Sequence, residues 1–214
     1  MKTIFRLLAF TLSLTCFTYL LLPYFKSDSI SLLSFWQYLT KWGLTANLLL
    51  SLNALVNEFK PKIRVSDTLL SIALPMNMMI LILYWGLYAI DPRLVNSAGP
   101  TPWYLEYYLH LVMIIFAWVE GLAFTRPFRN HTRSIIASSF VACIYIAFVE
   151  LIIIPYKATY PYPFLGKLSE IQLPAFYVGV VVFMLFLLST SKIISNKIWS
   201  TERQLEIISN NSKN

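Results

Sequence analysis

The chain has 214 residues, of which 57% are hydrophobic, 16% aromatic and only 13% charged, against roughly 25% charged in soluble domains. That balance excludes a soluble globule. The formal charge of +7 does not point to a nucleic-acid partner, because the basic residues sit between apolar runs and never gather into one stripe or patch.

Each membrane-crossing helix takes about 20 apolar residues, so six of them with short connections use nearly the whole chain. The expected fold is therefore all-α, a polytopic membrane protein with one bundle of six transmembrane helices, forming a single domain over residues 1–214. The first apolar run is Leu7 to Phe25, preceded by Lys2 and Arg6. It is too long for a secretory signal and lacks a small-x-small cleavage site, so it reads as a retained span. Further spans are expected at Trp36–Val56, Thr68–Ile90, Trp103–Phe124, Ser134–Ile154 and Pro174–Ile194. Cys16 and Cys143 both fall inside these runs and read as small apolar side chains.

Six spans put both termini on one side, and the basic residues say which. Lys2, Arg6, Lys60, Lys62, Arg64, Arg126, Arg129, Arg133, Lys192, Lys197, Arg203 and Lys213 fall on the termini and the second and fourth loops. Only Lys26, Arg93, Lys157 and Lys167 fall on the other three. Basic residues accumulate in short cytoplasmic segments, so both termini are expected in the cytoplasm. The sequons Asn130-His131-Thr132 and Asn210-Asn211-Ser212 would then be out of reach of lumenal glycosylation. Pro155, Pro161 and Pro163 punctuate the longest external loop, Tyr156 to Leu173.

Polar groups inside spans are costly, and each one that cannot snorkel to an interface is a candidate for function. They are Thr40, Lys41, Asn47, Asn77, Glu106, His110, Glu120 and Glu150. At 1.5 Å per residue, Thr40 lies about 6 Å below the outer end of the second span, His110 about 10 Å below that of the fourth and Glu150 about 6 Å below that of the fifth. A hydroxyl, an imidazole and a carboxylate at one level could act as nucleophile, base and orienting partner. A threonine in a span also commonly bonds a carbonyl of its own helix, and a histidine or glutamate commonly joins two helices. Glu106 shares the helix face of His110 but sits near enough to the surface to be simply solvated. Asn47 lies on nearly the same face as Thr40. No serine-nucleophile elbow, metal-ligand cluster, phosphate loop or dinucleotide fingerprint is present, so no cofactor or metal is expected.

Several stretches resemble one family of membrane proteins. Phe35-Trp36-Gln37-Tyr38-Leu39-Thr40 resembles the opening of the second span in the androgen-induced and androgen-dependent tissue-factor-pathway-inhibitor-regulating protein family. Trp103, His110 and Glu120 are similar to its fourth span, including the ten-residue step from histidine to glutamate. Tyr84 to Arg93 resembles its end of span three, Tyr162-Pro163-Phe164-Leu165 a loop motif, and Asn196 to Thr201 a motif after the last span. The likeness runs in order from about Phe35 to Thr201.

Members of that family are six-span threonine hydrolases that cleave fatty acid esters of hydroxy fatty acids, and the resemblance places their essential threonine and histidine at Thr40 and His110. It implies a lipid-ester hydrolase of the endoplasmic reticulum or another endomembrane, acting through an acyl-threonine, with membrane lipid as its surroundings and no nucleic-acid partner. Two other readings stay open. Intramembrane carboxylates such as Glu120, and a third span interrupted at Pro75, would suit a transporter or channel. Polar residues that merely join helices would suit a noncatalytic scaffold.

Overall fold

The computed structural model describes residues 1–26, 32–95 and 102–211, with the backbone alone for the last ten. The sequon at Asn210 therefore lies outside the described side chains. Among the described residues the chain is all-α, without strands. The helices are α1 (Lys2–Lys26), α2 (Leu39–Phe59), α3 (Asp67–Ile90), α4 (Trp103–Phe124), α5 (His131–Lys157) and α6 (Gln172–Asn211). Five of them, all but α2, are long and apolar enough to cross a membrane.

The second helix differs for a physical reason. Its 21 residues would extend about 31 Å, enough to cross, but polar side chains dilute its apolar character. Those side chains are used inside the protein. The Asn47 amide donates to Ser13 Oγ at 3.1 Å, Asn53 Oδ1 accepts from the Ser66 backbone at 2.6 Å, and the Asn57 amide donates to the Ile63 carbonyl at 2.8 Å. The helix also begins at Leu39 rather than at Trp36, because Leu32–Gln37 forms a separate 3-10 helix with Ser34, Phe35 and Gln37 buried. The Trp42 indole donates back to the Trp36 carbonyl at 2.8 Å and fixes that bend. Thr40 consequently sits in the first turn of α2.

Helix α3 is the hub, packing against α2, α4, α5 and α6, while α1 lies against α2. More than half of the most apolar stretch of α3 is buried (56%), against 17% in α5 and α6. The outer helices present apolar stripes at helical spacing, Ile136, Phe140 and Ile144 on α5 and Val178, Val182 and Phe186 on α6, all exposed. Continuous apolar faces of this kind are stable against lipid and not against water.

Pro75 does not interrupt α3, which runs unbroken from Asp67 to Ile90. A proline has no N–H to give the carbonyl four residues back, here that of Ser71. The Ser138 hydroxyl donates to that carbonyl at 2.7 Å from α5 and replaces the lost bond. Beside it, the Ser71 and Ser134 hydroxyls meet at 2.7 Å, so small polar residues stitch α3 to α5.

Glu120 is also accounted for structurally. Arg6 of α1, fully buried, reaches it with two guanidinium nitrogens, Nε to Oε2 at 3.0 Å and Nη2 to Oε1 at 2.5 Å. Arg6 Nη1 bonds Asn57 and Glu58 of α2, each at 2.9 Å, and Thr125 donates to Glu120 at 2.7 Å. This buried network ties α1 to the far ends of α2 and α4. Arg6, counted in the sequence among the basic residues of the termini, is thus a core residue. Asn130, the first residue of a sequon, caps α5 by accepting from the Arg133 backbone at 3.0 Å.

Gly43 of α2 packs directly against α3. A Cβ there would come within 2.5 Å of Asn77 Oδ1 and 2.6 Å of Ile80 Cδ1. Gly43→Ala should therefore push the Asn77 and Ile80 side chains of α3 aside and cost about 1–3 kcal/mol, seen as a lower unfolding temperature in detergent. Unfolding at the wild-type temperature would show that the two side chains yield there without strain.

Candidate functional site

At the Thr40 end of the bundle, α2, α3, α5, α6 and the loop between α5 and α6 line an open pocket whose empty space, solvent at its mouth included, is about 910 Å3. Its wall is mostly aliphatic and aromatic, with Met76, Ile80, Leu83 and Met184 among the lining residues. The hydroxyl-bearing residues among those lining it are Thr40, Tyr84, Tyr145, Tyr162 and Tyr177.

Thr40 is placed there by the N-terminus of α2 and by the external loop. The Leu39 backbone N–H, one of the donors a helix start leaves unpaired, donates to the Tyr162 hydroxyl at 3.0 Å. Thr40 and the same phenol stand together in the cavity wall. Burial pushes the Tyr162 phenol up to about 12, so it is neutral at physiological pH and keeps its proton to donate. It is Thr45, not Thr40, that bonds back to its own helix, at 2.8 Å to the Lys41 carbonyl.

His110 is buried on the neighbouring helix, in a π-helical turn, Tyr108–Val112. The turn packs against α2. Its Nδ1 lies 3.0 Å from the Glu106 carbonyl oxygen and 3.2 Å from the Glu106 carboxylate. Tyr84 lies flat on the imidazole, ring centroids 3.4 Å apart and planes 5° from parallel, and its hydroxyl donates to that same carboxylate. The Trp85 indole donates to the His110 carbonyl at 3.2 Å.

Thr40 and His110 thus lie on adjoining helices, and Tyr84 is common to both. It stands in the cavity wall with Thr40 and covers the imidazole, whereas His110 itself is not among the described lining residues. Glu150 does not serve as the carboxylate at His110. It accepts from Tyr177, another wall residue, so it stands behind the cavity on α5. Glu106 takes the place expected of it and is only 12% exposed, not solvated. Asn47 is bound to Ser13, which also accepts from Tyr108 at 2.9 Å; it joins helices and does not face Thr40's cavity. The ionisable residues His110, Glu120 and Glu150 each fall in a π-helical turn, a distortion that recurs at functional sites.

A model of the FAR-17a/AIG1-like protein family matches residues 2–196. The chain belongs to the FAR-17a/AIG1-like family. The match extends the likeness seen from Phe35 onward back through α1. The chain is also similar to a UPF0641 membrane protein of Schizosaccharomyces pombe (strain 972), 26% identical over 151 residues that cover 67% of each chain. No solved structure matches.

In this FAR-17a/AIG1-like chain the motifs that carried the resemblance converge on two places. Phe35 to Thr40, Tyr84-Trp85 and Tyr162 to Leu165 build the cavity and the His110 mount, with Phe164 and Leu165 in the wall beside Tyr162. Asn196 and Trp199 brace the opposite end, where Asn196 accepts from Arg126 at 3.1 Å and the Trp199 indole donates to the Gly121 carbonyl at 3.3 Å. The residues that residue-by-residue reasoning passed over are Tyr84 and Tyr162. Both stood in quoted motifs, but nothing in either motif says that Tyr84 stacks on His110 or that the Tyr162 phenol accepts from the start of α2.

Proposed function

We propose that this protein is an intramembrane hydrolase of lipid esters, with Thr40 as nucleophile and His110 as general base, and that its substrates are fatty acid esters of hydroxy fatty acids. The observation that carries this reading is Thr40 itself, a hydroxyl-bearing residue at the head of a helix in the wall of a mostly apolar cavity. An acyl chain would be desolvated against the aliphatic wall while its ester lies by the hydroxyls.

Thr40 Oγ1 attacks the ester carbonyl carbon as His110 takes the hydroxyl proton, and the proton then passes to the departing alkoxide. Water releases the acid from the acyl-threonine, again with His110 as base. Such transfers need heavy atoms about 2.6–3.2 Å apart or one bridging water, and contacts of this kind often close only around substrate. The reaction draws on side chains alone. With α2 as the sixth crossing, the distribution of basic residues supports both termini in the cytoplasm and Thr40 in the lumenal or outer leaflet, and the family resemblance supports the endoplasmic reticulum or another endomembrane as the membrane.

Purified protein in detergent should release free fatty acid from such branched esters. Absence of release, together with solute flux in sealed vesicles, would replace this reading with transport.

A further inference from the structure

A histidine can act as a base at one ring nitrogen only if the other holds the proton, and the partner of that other nitrogen decides which it is. At His110 the partner is unambiguous. A backbone carbonyl accepts and never donates, and Glu106 O lies 3.0 Å from Nδ1. Nδ1 therefore carries the proton, and Nε2 has the free lone pair.

The Glu106 carboxylate adds a charge at the same nitrogen, with Oε2 3.2 Å from Nδ1. Both side chains are largely buried, 8% and 12% exposed, so the attraction is little screened by water. The carboxylate is itself held, because the Tyr84 hydroxyl donates to Oε2 while the Tyr84 ring covers the imidazole. Four residues separate Glu106 from His110, which puts both on one face, so a single helix supplies base and carboxylate in fixed relation.

We propose that Glu106 is the positioning residue of His110, fixing the tautomer whose free nitrogen is Nε2 and stabilising the imidazolium formed when that nitrogen takes a proton. This rests on the hydrolase reading for its role in turnover. In that reaction the Thr40 O–H bond breaks as Oγ1 bonds the carbonyl carbon, the proton goes to Nε2, and the same proton leaves with the alkoxide. The Nδ1 proton stays in place throughout.

Two histidines in the chain make the test direct. Protein labelled with nitrogen-15 histidine gives imidazole signals for His110 and His131, and His131→Gln assigns them. Wild-type His110 should show a protonated Nδ1 and an unprotonated Nε2, and Glu106→Gln should raise the minor share of the other tautomer while the backbone carbonyl keeps most of the proton at Nδ1. In the ester assay Glu106→Gln should lower kcat about a hundredfold with KM within about twofold. The loss is smaller than for a triad carboxylate, about 10,000-fold, because the Glu106 carbonyl still holds Nδ1. Tyr84→Phe, which keeps the stacked ring and removes only the hydroxyl on Glu106, should show the same spectral change in weaker form and serves if Glu106→Gln fails to fold. A proton on Nε2 in the wild type, or a spectrum unchanged in both variants, overturns the proposal whatever the rates do. If the wild type hydrolyses no ester, the hydrolase reading fails, and the spectrum still decides whether Glu106 sets the His110 tautomer.

Discussion

Thr40→Ala should abolish ester turnover, by about 10,000-fold or more in kcat, while leaving the protein folded. The magnitude follows from what is removed, since a hydrolase that loses its nucleophile keeps only binding and electrostatic assistance. Folding should survive because the start of α2 is capped by the bond from Leu39 to Tyr162 at 3.0 Å and not by the threonine. Deleting a hydroxyl and a methyl from the edge of an existing cavity leaves no new buried charge. Thr40→Ser keeps the oxygen and should retain measurable activity. His110→Ala should lose nearly as much as Thr40→Ala, and the double variant little more than either, as groups acting as one unit do. Wild-type turnover by folded Thr40→Ala would rule the threonine out.

Glu120→Ala should produce the largest loss of stability, about 3–5 kcal/mol. It strips Arg6, only 1% exposed, of its two-point partner and leaves a guanidinium in the bundle with Glu58, Asn57 and a long bond to Thr125. Removing both charges, as in Arg6→Met with Glu120→Met, should restore much of that loss, because a well-packed apolar pair carries no desolvation cost. Thermal unfolding of all variants in the same detergent gives the cycle. The network lies at the end of α2 remote from Thr40, so the folded fraction of each variant should keep its specific activity. If Glu120→Ala unfolded like the wild type but lost a transport activity, Glu120 would be a pathway residue and not a tie between helices.

Five of the six expected spans were legible because lipid imposes one rule along the chain, and α3 and α4 run at their expected positions, one residue apart at most. The start of α2 was not. Hydropathy continues smoothly through Trp36, while the break after Gln37 comes from tertiary bonds, Trp42 to the Trp36 carbonyl and Tyr145 to the Gln37 carbonyl at 3.0 Å. Thr40 and His110 stood out as polar residues where polarity is costly. Their surroundings could not be read that way. A carboxylate four residues from a histidine is visible in any helix, but its choice over Glu150 depends on the π-helical turn and on Tyr84, which arrives from α3. Glu120 showed the converse. Its partner, Arg6, lies in the first turns of α1 and reads in sequence as a topogenic charge, and only packing makes it a buried counter-ion. Pro75 likewise reads as a break until Ser138 is seen supplying the missing donor to Ser71.

Whether Thr40 is a nucleophile is best decided by catching it bonded to an acyl-like group. Purified wild-type protein treated with a fluorophosphonate, digested and sequenced by mass spectrometry should carry the phosphonyl group on Thr40, and Thr40→Ala and His110→Ala should remain unlabelled. Labelling at another side chain, or labelling of Thr40→Ala equal to that of the wild type, would contradict the account.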